Sequence, residues 1–263
     1  MNAVWPPEGH DTPWPFVRSL IHLDVVESTN DRARQLAHEQ RDDLPIAIWA
    51  DRQTKGRGRA DRTWWSDAGS LTFSLLVDPR MHALKTEHEP KLALAAAVAV
   101  VNTILLECGL PANIRWPNDV ELDGRKLSGI LPERVETSRG SLLVVGIGVN
   151  VSTQLDDAPA EVRRMSTSLH ERIAPNRRVP EPSALLRSLL ASFGASLVRL
   201  ARDDEALAVE WADFDCLLNQ PVRVDLGTRI LTGVGRGIDV QGALLVEAAG
   251  EVQRLFGGRV LRN

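Results

Sequence analysis

An α+β protein, with a central mixed sheet flanked by helices and a small all-β cap behind it, is what the sequence predicts. Three observations carry this expectation. Short apolar runs such as "IHLDVV", "IAIWAD" and "SLLVVGIGVNV" alternate with stretches of helical periodicity over most of the chain. The run "KLALAAAVAVVNTILLE" is apolar nearly all round, the pattern of a helix buried on every side. From about Asn219 the texture changes to short strands punctuated by glycine, "PVRVDL", "TRILTGVGRGID", "GALLVE", "EVQRLF" and "RVLR", which reads as a small barrel.

Taken in order, residues 1–20 open with four prolines and no periodicity, so a flexible arm is expected. A strand follows at 21–26. Ser28, Thr29 or Asn30 then caps a helix running to about Gln40, with Asp31 in its first turn. Strands are expected at 46–51 and 70–78, the latter ended by Pro79, and a buried helix at 91–107. Within "VELDGRKLSGIL", Asp123-Gly124 is the two-residue turn that matches strand twist, so this segment reads as a hairpin. The continuous apolar run 141–151 suits a strand buried on both faces. Leu186, Leu189, Leu190, Phe193, Leu197 and Leu200 recur at helical spacing, and a further helix over 203–214 contributes Trp211. The domains expected are the arm 1–20, a main domain 21–217 and the cap 218–263.

At 263 residues and net charge −4, the chain has room for a sizeable core and is not a general polyanion binder. Any anion site must be local. Cys108 and Cys216 are the only cysteines and neither has a CxxC partner, which disfavours a metal site or a disulfide framework. The apolar run at 92–107 carries Asn102 and Glu107 and falls short of a membrane span, and the N-terminus is unlike a signal peptide. A cytoplasmic protein without membrane contact is expected.

Four constellations can carry chemistry. "DRQTKGRGRADRTWW" sets Arg57, Arg59 and Arg62 around Gly56 and Gly58. Glycines there permit close approach of a ligand, and guanidinium forks suit phosphate or carboxylate. A solvated basic loop and a nucleic-acid contact remain open readings, while the P-loop signature is missing. "RWPNDVELDGRKLSGIL" presents Asn118 and Asp119 after Pro117, an amide beside a carboxylate that serves either a capped turn or a magnesium ion or adenine amine. Lys126 follows its hairpin, near Ser128 and Gly129. "GIGVN" places Gly146 and Gly148 in an apolar strand, either for tight packing or as a flat ligand wall, with Asn150 at its end. "ESTN" either caps a helix or touches a ligand. No histidine, serine and aspartate set has a triad-like spacing.

In type and order these segments, with "TSL" and "GRGIDVQGALLVE", resemble the biotin protein ligases over about residues 23–263. The resemblance implies a class II synthetase-like catalytic fold, an SH3-like C-terminal barrel, and an enzyme that makes biotinyl-5′-AMP from biotin and MgATP. The acceptor it implies is a lysine on the biotin carboxyl carrier protein domain of acetyl-CoA carboxylase or a related carboxylase. By the same match, biotin would meet Ser28, Thr29, Asn30, Gln53, Gly56, Arg57, Gly58, Arg59, Lys126, Gly129, Gly146 and Gly148. ATP would meet Arg59, Arg62, Arg115, Trp116, Asn118, Asp119, Lys126, Asn150 and Arg236, with Asn118, Asp119 and Asn150 also toward Mg²⁺. Lys126 and Arg59 would be catalytic.

Three residues depart from the family pattern. Arg115 stands where lysine is usual, Asp61 where glycine is usual, and Pro132 removes an N–H from a strand, where a bulge or strand end is expected. Family members that repress transcription carry an N-terminal helix-turn-helix. About 22 proline-rich residues leave no room for one here, so no DNA binding is expected. A monomer or weak homodimer is expected. The rival readings are a lipoate- or octanoate-protein ligase relative, a nucleic-acid-binding module built on "GRGR", and a non-catalytic biotin or nucleotide sensor.

Overall fold

The computed structural model describes residues 3–5, 14–39, 41–60, 62–202 and 205–262. Its main domain is built from β1 (Ala3–Trp5), β2 (Ser19–Val26), α1 (Thr29–His38), β3 (Ile46–Gln53), β4 (Ser70–Val77) and α2 (Leu92–Cys108). It continues through β5 (Asn113–Arg115), β6 (Asp119–Leu122), β7 (Arg125–Thr137), β8 (Gly140–Asn150), α3 (Ala160–Met165), α4 (Leu169–Arg172), α5 (Pro182–Ala201) and α6 (Ala206–Phe214). The C-terminal part holds β9 (Pro221–Asp225), β10 (Ile230–Ile238), β11 (Leu244–Ala248), β12 (Glu251–Leu255) and β13 (Arg259–Val260).

The main sheet has eight strands in the order β1-β2-β3-β4-β8-β7-β6-β5. It is mixed because α1 returns the chain so that β2 and β3 run parallel, while the other neighbours are antiparallel. Alternation along the central strands serves two cores. Ile46, Ile48, Leu76 and Val144 pack with Ala33 and Leu36 of α1 on one face. Ala47, Leu75, Val145 and Ile147 pack with α2 and α5 on the other. This is why "SLLVVGIGVNV" reads as one unbroken apolar run. Gly109, at φ 67°, ends α2 in the left-handed conformation that glycine adopts without steric cost.

Asp123 and Gly124 both take positive φ, 49° and 73°, in the turn joining β6 to β7. Pro132 corrects an expectation: β7 runs through it, with Pro132 opposite Val145 and no bulge. The reason is directional. Ile130 N–H donates to Asn118 O, and Ile130 O accepts from Asn118 Nδ2. Two residues on, Pro132 therefore turns its missing donor away from β8, beyond the end of β6, so no ladder bond is lost.

Parts of the expected arm are described, and they make contacts with the main domain. Ala3–Trp5 pairs antiparallel with β2. Phe16 meets Phe193 of α5 edge-on at 5.4 Å between ring centroids, and Val17 is buried. The C-terminal strands form one antiparallel sheet, β12-β11-β10-β9-β13, whose pairing does not close into a barrel among the described residues. Trp116 Nε1 donates to Gly242 O at 3.2 Å, Arg115 Nη2 to Leu261 O at 2.9 Å, and Arg262 Nη1 to Gly124 O at 2.7 Å. These bonds fasten that sheet beside the β5–β7 edge of the main one.

Candidate functional site

A cleft of about 310 Å³ opens on the α1 face of the main sheet, over β4, β7 and β8. At one end is a polar floor. Ser28 precedes α1 in extended conformation, yet its side chain makes no capping bond and lines the cleft. Thr29 N and Oγ1 donate to Gln53 Oε1 at 2.7 and 3.1 Å. Ser74 Oγ lies 2.7 Å from Thr29 Oγ1 and 2.6 Å from Asn30 Oδ1. Asn30 Nδ2 donates to Leu131 O at 3.2 Å and to Glu133 Oε2 at 2.7 Å. The amide of Asn30 thus has both donors engaged and keeps acceptor capacity at Oδ1, while Gln53 keeps its amide donors.

The wall is glycine by necessity. Gly129 of β7 stands directly opposite Gly148 of β8 in register, and Gly146 lies on the same face two residues before it. A Cβ on Gly146 would collide with Asn30 Oδ1. One on Gly148 would stand 2.5 Å from Trp64 Cε2, and one on Gly129 would stand 3.2 Å from Trp64 Cζ3. The indole of Trp64 therefore packs against the Gly129–Gly148 pair, its Nε1 buried without a hydrogen-bond partner.

The far end is cationic. Lys126 Nζ lies 2.6 Å from Asp119 Oδ1 and 5.6 Å from the centroid of the Trp64 ring. Arg59 reaches into the cleft and donates from Nη1 to Asn118 Oδ1 at 3.1 Å. Burial, and then the charge of Arg62, lower the Arg59 pKa below the ordinary arginine value. A charge so placed is weakly hydrated and ready for an anion. Arg62 is exposed and donates from Nε to Arg59 O. Arg57 also lines the cleft but is engaged, donating to Asp31 Oδ1 at 2.8 Å and to both oxygens of Glu133 at 2.9 and 3.1 Å. Gly58 N bonds Arg62 O to fold the loop on itself, and Gly56 packs against the Trp64 backbone rather than lining the cleft. Asp61 lies outside the described residues.

A second, wider cleft of about 960 Å³ continues from this cationic end toward the C-terminal sheet. It shares Arg59, Arg62, Asn118 and Lys126 with the first, and exposed Arg164, Arg223 and Arg259 stand along it. Arg115 lines it as well, but its guanidinium is spent on Leu261 O and on the buried Glu121, 3.8 Å away. Burial raises the Glu121 pKa, and Arg262 and Arg115 oppose that rise.

Five expected site residues have protein partners in this structure. Arg236 lines neither cleft; it bonds Glu247 Oε2 at 2.7 Å and Asn219 Oδ1 at 2.6 Å within its own sheet region. Trp116 is buried at the edge of the second cleft and joins the two sheets through Gly242 O. Asn118, Asp119 and Asn150, expected toward Mg²⁺, are each engaged with protein groups. Asn118 Oδ1 accepts from Arg59, Asp119 accepts from Lys126, and Asn150 bonds Thr167 O and Thr153 Oγ1. Their one carboxylate is neutralised, and among the described residues no group of three acidic, histidine or cysteine side chains converges on a point.

Sequence reasoning gave no role to Trp64, Ser74 or Glu133. Trp64 ends the "GRGRADRTW" segment, and an aromatic at the end of a Gly/Arg loop was the available signal. Ser74 is one of three buried hydroxyls in β4, on the same face as Ser70 and Thr72, and Glu133 falls on the same face of β7 as Gly129 and Leu131.

Comparison with known proteins gives the family of the fold. Residues 22–150 match the biotin/lipoate A/B protein ligase family, and residues 217–260 match the biotin protein ligase C terminal domain. The bifunctional ligase/repressor BirA of Bacillus spizizenii is 32% identical over 90% of this chain and 72% of its own length. The biotin–[acetyl-CoA-carboxylase] ligase of Paracoccus denitrificans is 31% identical over 85% of this chain and 92% of its own. Biotin protein ligase from Aquifex aeolicus, solved with biotin and ATP, superposes with a TM-score of 0.79 at 28% identity, covering 92% of this chain and 97% of that one. The chain thus belongs to the ligases that join biotin or lipoate to proteins. Within that class it is a biotin protein ligase, since it carries the C-terminal domain that bears their name.

Proposed function

We propose that the protein converts biotin and ATP to biotinyl-5′-AMP and pyrophosphate, then passes the biotinyl group to a lysine of a biotin carboxyl carrier domain. The supporting observation is that one cleft orders three chemistries in a line. A ureido group needs acceptors for its N–H groups and donors for its carbonyl, which Asn30 Oδ1 and the Gln53 amide offer. A fused ring needs a flat, side-chain-free wall, which Gly129 and Gly148 form; the Trp64 indole packs on that wall here, so a bound ring would take its place. A valerate tail ends in a carboxylate, which reaches Lys126 and Arg59.

In the first half-reaction a carboxylate oxygen forms a bond to the α-phosphorus and the bond to pyrophosphate breaks. Two anions must meet, so Lys126 and Arg59 lower the barrier by neutralising charge that develops between them. Asp119 holds the Lys126 ammonium in place. In the second half-reaction the acceptor amine attacks the acyl carbon, AMP leaves and the nitrogen gives up a proton. The arginine-lined second cleft leads to that carbonyl, and the name of the Paracoccus relative supports a carboxylase as the acceptor's source. A reducing cytoplasm suits the two free thiols.

The test is incubation of the chain with biotin, ATP and a purified carrier domain, followed by intact-mass analysis of the carrier. One biotinyl group on the acceptor lysine supports the reading. An unmodified carrier, with a known ligase as positive control, removes it.

A further inference from the structure

Glu133 is a carboxylate that the biotin-ligase reading does not use, and it sits where Arg57 of the Gly/Arg segment meets the polar floor. Its side chain is 18% exposed. Arg57 Nη2 donates to Oε1 at 2.9 Å and Arg57 Nη1 to Oε2 at 3.1 Å, a two-point fork. The same Oε2 accepts from Asn30 Nδ2 at 2.7 Å. Arg34 stands farther off, at 3.5 Å from Oε1, and Asp31 shares Arg57 from the α1 side.

Two consequences follow from this sharing. An amide that gives Nδ2 to a carboxylate cannot flip, because flipping would set Asn30 Oδ1 against Glu133 Oε2. Glu133, at the shorter distance, and Leu131 O, which accepts from the same Nδ2 at 3.2 Å, together keep Oδ1, the acceptor, facing Ser74 and the cleft, where Gly146 leaves it room. The fork on Arg57 meanwhile pins the Gly/Arg segment to β7, carrying Arg59 and Trp64 with it.

We propose that Glu133 is a positioning residue that, with Leu131 O, holds the orientation of the Asn30 amide and that anchors Arg57 of the Gly/Arg segment to β7. It acts on ligand recognition through Asn30 and Arg57 and does not touch the reacting atoms. This rests on the proposed function only for the identity of the ligand.

The experiment compares Glu133→Gln, Glu133→Ala, Arg57→Ala and the Glu133→Gln/Arg57→Ala pair with the parent chain. Glu133→Gln retains the shape and one acceptor oxygen but loses the charge and the fork. It is expected to raise KM for biotin about tenfold or more in pyrophosphate exchange, while kcat stays within about threefold. The two single changes should be non-additive, because each breaks the same contact. In ligand-free protein, tryptic cleavage within 54–62 should rise about tenfold in Glu133→Gln without a matching fall in the unfolding midpoint. An unchanged KM with unchanged cleavage would overturn the proposal, and so would additive effects in the pair. Should the parent chain show no biotin-dependent exchange, the proposed function fails, and the cleavage comparison still decides the role of Glu133.

Discussion

Lys126 Nζ stands 2.6 Å from Asp119 Oδ1, on neighbouring strands of one hairpin, with both side chains about three-quarters shielded from water. The pair fixes a cation at the junction of the two clefts. Without the ammonium, Asp119 would face the incoming anions as an unpartnered negative charge. In Lys126→Ala, kcat for pyrophosphate exchange should therefore fall by about 10²–10³-fold. Near-normal exchange in that variant would remove Lys126 from the chemistry.

Gly148→Ala tests the wall. Its Cβ would stand 2.5 Å from the Trp64 ring, so either strand or indole must move. Overpacking of this kind costs about 1–3 kcal/mol. Urea unfolding should show that loss when Gly148→Ala is made in the parent and a smaller one when it is made in a Trp64→Ala background, because the obstruction is then gone. Biotin binding by calorimetry should weaken in both variants.

Arg115→Lys tests the departure from the usual lysine. The guanidinium spans Leu261 O and Glu121, whereas an ammonium is a single point and cannot hold both. The expected cost is about 1–3 kcal/mol, with faster amide hydrogen exchange in 219–262 than in the main sheet. Equal protection in both variants would show that the contact between the sheets does not depend on this fork.

The cysteines predict an alkaline limit. Burial pushes the Cys108 thiol from its ordinary 9.0 up to about 11 and the Cys216 thiol up to about 12. A raised folded pKa means that the folded chain keeps a proton which the unfolded chain has released. Stability from these thiols is thus full below pH 9.0 and is lost as pH climbs through 11 and 12. Unfolding midpoints measured from pH 8 to 10.5 should fall more steeply in the parent than in Cys108→Ala/Cys216→Ala. Native-state thiol titration at pH 8 should be slow and become fast in denaturant.

Much of the main domain was legible because its elements carry strong local signals. The β8 run is apolar because both faces are covered, α2 is apolar all round for the same reason, and Asp123-Gly124 can close a hairpin only as it does. What escaped lacks such a signal. β1 has three residues and exists through pairing with β2, while α3 and α4 are too short to show a helical period. In the site, the order of motifs placed Lys126, Arg59 and the glycines in one cleft, but motif order says nothing of side-chain direction. Arg236 bonds Glu247 instead of a nucleotide cleft, and Trp116 binds Gly242, because both directions are set by contacts distant in sequence. Pro132 was misread because strand composition does not reveal which way a missing N–H would point.

The central claim is that this cleft adenylates biotin. Its most direct test is exchange of labelled pyrophosphate into ATP by the purified chain, with biotin, lipoate and octanoate in parallel. The account predicts exchange with biotin and at least about a hundredfold less with the other two acids, which lack the ureido group that Asn30 and Gln53 would hold. Exchange driven by lipoate or octanoate instead, or no exchange with any of the three, would contradict it.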